Sequence, residues 1–195
     1  MKRPVFVSPQ EAASMIESNS TVATVGMTLV SASESILKAI EQRYLEEKAP
    51  NGLTLVHSCG QSDRDRGIQH FAHERIIGGH WGLQPKMMEL ISENKILAYC
   101  IPQGQFAQLY RSMAGGEPGK ITKVGLGTFV DPRLEGGKMN ELTKSAPDIS
   151  QIVTINGEEY MCYNPIPLDY VIIRGTYVDE SGNLTTDEEA MQLEV

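Results

Sequence analysis

Apolar positions along the chain recur at two periods, and the switches between them delimit the elements. Ser8-Pro9-Gln10-Glu11 joins a capping serine, a proline at the first helical position and a glutamate three residues after the cap. Ala12, Met15 and Ile16 then repeat at helical spacing, which predicts a short helix through about Glu17. Thr21-Val22-Ala23-Thr24-Val25 is rich in β-branched residues and stops at Gly26, and Ser31-Ala32-Ser33 offers caps for a longer helix with Ile36, Leu37, Ile40 and Tyr44 on one face. After Asn51-Gly52, Leu53 to His57 reads as the next strand, followed by a polar stretch from Ser58 to Gly67. Ile76-Ile77 before Gly78-Gly79 reads as a short strand, Pro85 to Glu93 as a helix and Lys95 to Cys100 as a buried strand. Gln105 to Met113 is helical with Phe106, Leu109 and Met113 in register, and Ile121 to Val124 is a short strand.

From Gln151 the pattern changes. Ile152 to Ile155, Asn156-Gly157 and Glu158 to Tyr163 form a two-residue hairpin signal, and Asp169 to Ile173 reads as another buried strand. Strands alternating with helices through the first two-thirds predict an α/β fold with a mostly parallel sheet flanked by helices, to which the hairpin adds an antiparallel pair at the edge. No internal repeat or linker divides residues 1–195, so a single domain is expected.

Composition narrows the class. The 41% hydrophobic content excludes a disordered or fibrous chain. The net charge of −8 is lopsided: residues 175–195 hold Asp179, Glu180, Asp187, Glu188, Glu189 and Glu194 and no base, so residues 1–174 stand at −2, with 17 bases against 19 acids. No basic stripe exists to track a phosphate backbone, and nucleic acid is not an expected partner. Cys59, Cys100 and Cys162 are odd in number, widely spaced and outside any C-x-x-C pair, which argues against a disulfide framework or thiolate metal site and favours a reducing cytoplasm. The start, Met1 to Pro9, is too poor in apolar residues for a signal-peptide core, and no run approaches bilayer length, so no membrane association is expected.

In a parallel α/β sheet, ligands gather beyond the carboxyl ends of the strands. Four places qualify: Gly26-Met27-Thr28, His57-Ser58-Cys59-Gly60, Pro102-Gln103-Gly104 and Gly125-Leu126-Gly127-Thr128. Gly125-x-Gly127 opens like a dinucleotide fingerprint, but its third glycine is missing and Pro132 falls where a helix should run, which argues against a nicotinamide-dinucleotide site. Backbone angles or close approach of a ligand would each require such a turn, and both readings stay open. Gln103, between Pro102 and Gly104, carries an amide that could donate to a carbonyl oxygen or carboxylate, or else cap the following helix. His70-x-x-His73-Glu74, with His57, His80, Asp63 and Asp65, lacks zincin spacing and reads as surface or hydrogen-bonded histidines, so no metal is expected. No Gly-x-Ser-x-Gly elbow supports a Ser-His-Asp triad. Ser62 to Gly67, with four alternating charges, reads as a solvated loop, and Met87, Met88 and Met113 as core fillers.

Gly79-His80-Trp81-Gly82, the run Asn94 to Tyr99 leading into Pro102-Gln103-Gly104, Gly125 to Pro132 with Gly136-Gly137-Lys138, and Asp63-Arg64-x-Arg66-Gly67 together resemble the amino-terminal half of family I CoA-transferases, in the acetate/propionate branch. The resemblance covers nearly the whole chain in order. It implies a NagB/RpiA/CoA-transferase-like fold and transfer of CoA from an acyl-CoA to a free carboxylate through a glutamyl-CoA thioester, with CoA as substrate and no cofactor. It further implies that Gln103 and Gly104 contact substrate and that Gly125, Gly127 and Thr128 line the same cleft. Gly26 sits in the family's glycine turn, but Met27 and Thr28 stand where glycine usually repeats. The family's nucleophilic glutamate belongs to the carboxyl-terminal half. Glu34, Glu74, Glu89 and Glu117 stand in no such motif, and no catalytic residue is assigned in this chain. The resemblance therefore implies a carboxyl-terminal half or β-type subunit as partner, acyl-CoA and a small carboxylate as ligands, a homo-oligomeric assembly, and an isolated chain without activity. Two other readings compete: a stand-alone module binding acyl-CoA or a sugar phosphate, and an acyl-CoA hydrolase of the same superfamily. The acidic stretch after Arg174 would lead into the connection to the other half.

Overall fold

The Ser8 hydroxyl accepts the Glu11 N–H while the Glu11 carboxylate accepts the Ser8 N–H at 2.8 Å, a closed capping box that starts the first helix. A computed structural model describes residues 4–26, 30–59 and 74–189. In chain order the elements are α1 (Pro9–Ser14), β1 (Thr21–Thr24), α2 (Glu34–Glu47), β2 (Thr54–His57), β3 (Arg75–Gly78), α3 (Pro85–Ser92), β4 (Leu97–Cys100), α4 (Gln103–Ala114) and β5 (Lys120–Thr122). There follow α5 (Glu141–Lys144), β6 (Ser150–Ile155), β7 (Glu158–Tyr163), β8 (Tyr170–Ile172), β9 (Tyr177–Val178) and β10 (Leu184–Thr185).

Five parallel strands form the central sheet in the order β4-β3-β2-β1-β8. Its register aligns Val22, Leu55, Ile76 and Ala98 in one row and Ala23, Val56, Ile77 and Tyr99 in the next. Because side chains alternate across a strand, the two rows face opposite ways. The first row packs with Ala13 and Ile16, with Leu37 and Ile40 of α2, and with Met87 and Ile91 of α3. The second packs with Phe106 and Leu109 of α4, Val130, and Met161 and Tyr163 of β7. Both faces are thus covered, as a parallel sheet requires.

The hairpin forms as its turn chemistry dictates, with Asn156 at φ 52° and Gly157 at φ 82°. It does not extend the parallel sheet. β7 is instead the central strand of a separate antiparallel sheet, β5-β7-β6, laid over the second face. Three consecutive residues of β7, Met161, Cys162 and Tyr163, are buried, which a solvent-facing edge would not satisfy. The edge position belongs to β8, where Ile172 is buried but Val171 is 47% exposed, so this strand is only half-buried.

Three further expectations shift. α1 ends at Ser14 and buries Ala13 rather than Met15, because Arg43 Nη1 of α2 donates to the Ala13 and Ile16 carbonyls at 2.9 Å and closes the helix end. Met88 is exposed while Met87 fills the core. The acidic stretch contains a small hairpin, β9 with β10, whose turn is held by Asp179 accepting the N–H groups of Ser181 and Asn183. Among the described residues no helix is long and apolar enough to cross a membrane.

Candidate functional site

The carboxyl ends of β2, β3 and β4 meet at Gly79. A methyl group there would collide with the Ser58 carbonyl and stand 2.5 Å from Gln103 Cγ and 3.3 Å from Gln103 Cα. Only the absence of a side chain lets the three strand ends approach this closely. Gly78 does the same beneath it, since a Cβ would fall 2.9 Å from both His57 Cε1 and Trp81 Nε1. His57 is fully buried, its Nδ1 lies 2.9 Å from the Cys59 carbonyl, and desolvation lowers its pKa from 6.5 to about 4. The ring is neutral at physiological pH, and Nδ1 carries the proton that the Cys59 carbonyl accepts.

Gln103 is the first residue of α4, two positions earlier than the apolar spacing indicates, because Pro102 fixes the cap. It is exposed, its stem lies over Gly79, and its amide makes no cap or turn hydrogen bond among the described residues. Gly104 is also exposed, with nothing among the described residues within 4 Å of the place a Cβ would take. The N–H groups of Gln103 and Gly104 open a 12-residue helix and have no helical acceptor, so they present the positive end of its dipole.

Gly125, Gly127 and Thr128 form one turn. Thr128 donates to the Gly125 carbonyl through its N–H at 3.1 Å and its hydroxyl at 2.8 Å. Gly125 (φ 106°) and Gly127 (φ 69°) adopt angles that favour glycine. A Cβ on Gly125 would meet the Tyr163 hydroxyl and stand 2.8 Å from Val130 Cγ2, whereas one on Gly127 would face open space. The organiser is Asp131, 1% exposed, whose carboxylate accepts Gly127 N at 2.9 Å, Arg133 N and Arg133 Nε at 3.0 Å and Arg133 Nη2 at 2.8 Å. The Arg133 bonds hold its carboxyl well below the usual carboxylate range. The chain then returns to the sheet: Gly137 N donates to Phe129 O, Cys100 N to Gly137 O and Met139 N to Ala98 O. The turn is thereby tied to the end of β4, just before Gln103. Burial pushes the Cys100 thiol up to about 11, leaving it a poor nucleophile at neutral pH.

Gly26 stands at the end of β1 with φ 120°, its backbone against the Ser31 carbonyl. It lies beside a cavity of about 580 Å³ lined by Ser33, Glu34, Arg174 and Tyr177, which contains none of Gln103, Gly104, Gly125, Gly127 or Thr128. Met27, Thr28, residues 60–73 with Asp63-Arg64-x-Arg66-Gly67 and His70, and residues 190–195 lie outside the described residues. Gly79 and Asp131 stand in the motifs that carry the family resemblance, but the sequence assigns neither a place in the site. A Gly-Gly pair directly after a strand and an Asp four residues after Gly127 were the available signals.

The family pattern described as Coenzyme A transferase matches residues 6–195. Caffeate CoA-transferase of Acetobacterium woodii is 41% identical over 189 residues, covering 94% of this chain and 36% of that protein. Acetate CoA-transferase YdiF of Escherichia coli K12 is 37% identical over 198 residues, covering 98% and 37%. The crystal structure of the acyl-CoA transferase YdiF from E. coli O157:H7, a thioester complex with CoA, superposes with a TM-score of 0.90 at 34% identity over 97% of this chain and 38% of that one. The chain thus spans a little over a third of the length of these relatives, and over that span it belongs to the coenzyme A transferase family.

Proposed function

We propose that residues 1–195 are the α-type, amino-terminal domain of a CoA-transferase that moves CoA from a short-chain acyl-CoA to a free carboxylate of the acetate/propionate kind. The observation that carries the reading is the similarity to YdiF, an enzyme solved as a CoA thioester complex, across 97% of this chain. The chemistry asks for a nucleophilic glutamate, which a carboxyl-terminal half or β-type subunit would supply. Its carboxylate attacks the thioester carbonyl and expels CoA thiolate, leaving an acyl-glutamyl anhydride. The thiolate then attacks the glutamyl carbonyl, releasing the first carboxylate and leaving a glutamyl-CoA thioester, and the acceptor carboxylate runs the sequence in reverse. Each attack places negative charge on a carbonyl oxygen, which needs fixed donors. In this chain the free amide of Gln103 and the first N–H groups of α4 serve that oxygen. Gly104 lets the acyl group come close, and Gly125, Gly127 and Thr128 form a bare wall of the same cleft.

The test is CoA exchange between propionyl-CoA and labelled acetate. The purified 195-residue chain should show none, and activity should appear when the glutamate-bearing half is added. Turnover by the chain alone, with CoA trapped on one of its own glutamates, overturns the proposal. In the completed enzyme, Gln103→Ala should lower kcat/KM by about 100-fold, the typical effect of losing one oxyanion donor. Unchanged kinetics would remove Gln103 from the site.

A further inference from the structure

At the amino end of the central sheet, one strand length from Gly79, a second cavity of about 270 Å³ opens between β3, β4 and the segments just before β6 and just after β7. Arg75, the first residue of β3, lines it together with Ile77, Tyr99, Asn164 and Ile166, and Pro147, Pro165 and Pro167 stiffen its rim. Arg75 Nε is buried without a hydrogen-bond partner, and its guanidinium forms no ion pair among the described residues. The residue as a whole is partly buried, and a buried guanidinium N–H without an acceptor costs free energy that an anion would offset. Asp148 also lines the cavity, and its carboxylate is paired with Lys138 Nζ at 2.8 Å. The Tyr99 hydroxyl is spent as well, donating to the Pro147 carbonyl at 2.7 Å. Asn164 Oδ1 accepts from Gln151 at 3.1 Å, which leaves its Nδ2 as a second donor.

We infer that this cavity binds a short-chain monocarboxylate, its carboxylate on the Arg75 guanidinium and Asn164 Nδ2 and its alkyl tail against Ile77, Ile166 and the prolines. The planar guanidinium matches a carboxylate in bidentate geometry, and the apolar walls select a ligand with a hydrocarbon tail over a compact inorganic anion. The site stands apart from the strand-end cleft and does not rest on the transferase reading, because it is detected by binding without CoA or turnover.

The experiment titrates the 195-residue chain with sodium butyrate, acetate and phosphate, following backbone amide signals by NMR. Butyrate should shift Ile77, Tyr99 and Asn164 saturably and bind more tightly than acetate, with phosphate weakest. Arg75→Gln should weaken butyrate at least about tenfold, as expected for losing a charge-assisted pair, with Arg75→Lys intermediate. Ile166→Phe, which fills the cavity and leaves Arg75 in place, should block binding even if Arg75→Gln proves unstable. Saturable shifts at these residues from phosphate as strong as from butyrate would overturn the carboxylate assignment. Absence of shifts there, or unchanged butyrate binding in Ile166→Phe, would overturn the site.

Discussion

Replacing Asp131 with asparagine should lower stability at neutral pH by about 3 kcal/mol, the range for breaking a buried charged hydrogen-bond set. Asp131 is 1% exposed and accepts four N–H donors from Gly127 and Arg133. Asparagine keeps the volume but turns half of the acceptor into a donor, so at least one of these N–H groups loses its partner. The Arg133 ion pair itself adds little, since that side chain is 48% exposed and keeps Glu159 at 2.7 Å. The cost lies in the orphaned backbone of the glycine turn.

The same substitution has a pH signature. The folded carboxyl of Asp131 is held below its ordinary range, so at acid pH the unfolded chain binds the proton first. Its contribution is full above the ordinary carboxylate range and is lost as pH falls through the folded value. His57 acts in a separate window. Its pKa falls from 6.5 to about 4 on folding, so between those values the unfolded state is again the more protonated and stability drops as pH drops. Denaturant unfolding followed by circular dichroism from pH 8 to 3 should therefore give Asp131→Asn the wild-type slope between about pH 6.5 and 4 and a shallower one below. A variant as stable as wild type at pH 7, or one with an unchanged slope below pH 4, would refute the role given to Asp131.

Periodicity and punctuation are local, and the features they reached are local too. The Ser8 to Glu11 box and the Asn156-Gly157 turn each close within four residues, so their chemistry is complete in the sequence. The run Glu158 to Tyr163 after Asn156-Gly157 gives a strand but not its neighbours. That β7 pairs with β5 and covers Tyr99 depends on which face of the parallel sheet α4 leaves open, a tertiary matter. The strand-end rule located Gln103, yet Gly79 became visible only when Ser58 and Gln103 were seen against it, from positions 21 and 24 residues away. Asp131 stands in the Gly125 to Pro132 motif, but that it organises the turn shows only in its burial and its four donors.

Gly79→Ala should be the most damaging small substitution in the candidate cleft. The added methyl meets the Ser58 carbonyl, which is backbone and cannot swing aside, and the Gln103 Cα at 3.3 Å blocks retreat on the other side. The strand ends must separate. Overpacking of this kind costs about 1–3 kcal/mol, and displacing Gln103 by even a fraction of an ångström should lower kcat/KM of the completed enzyme on the order of 100-fold. Gly104→Ala is the matched control. Its Cβ enters open space in the first turn of α4, where alanine favours helix over glycine, so stability should hold or rise by up to about 1 kcal/mol. If the acyl group passes close to this backbone, the methyl should still reduce turnover, chiefly for longer acyl chains, and the two variants then separate strand-end packing from substrate approach. Thermal melts and propionyl-CoA exchange kinetics on both decide the matter. Full activity in Gly79→Ala would mean that the junction of β2, β3 and β4 does not position the chemistry, and full activity in Gly104→Ala with every acyl chain would place the substrate elsewhere.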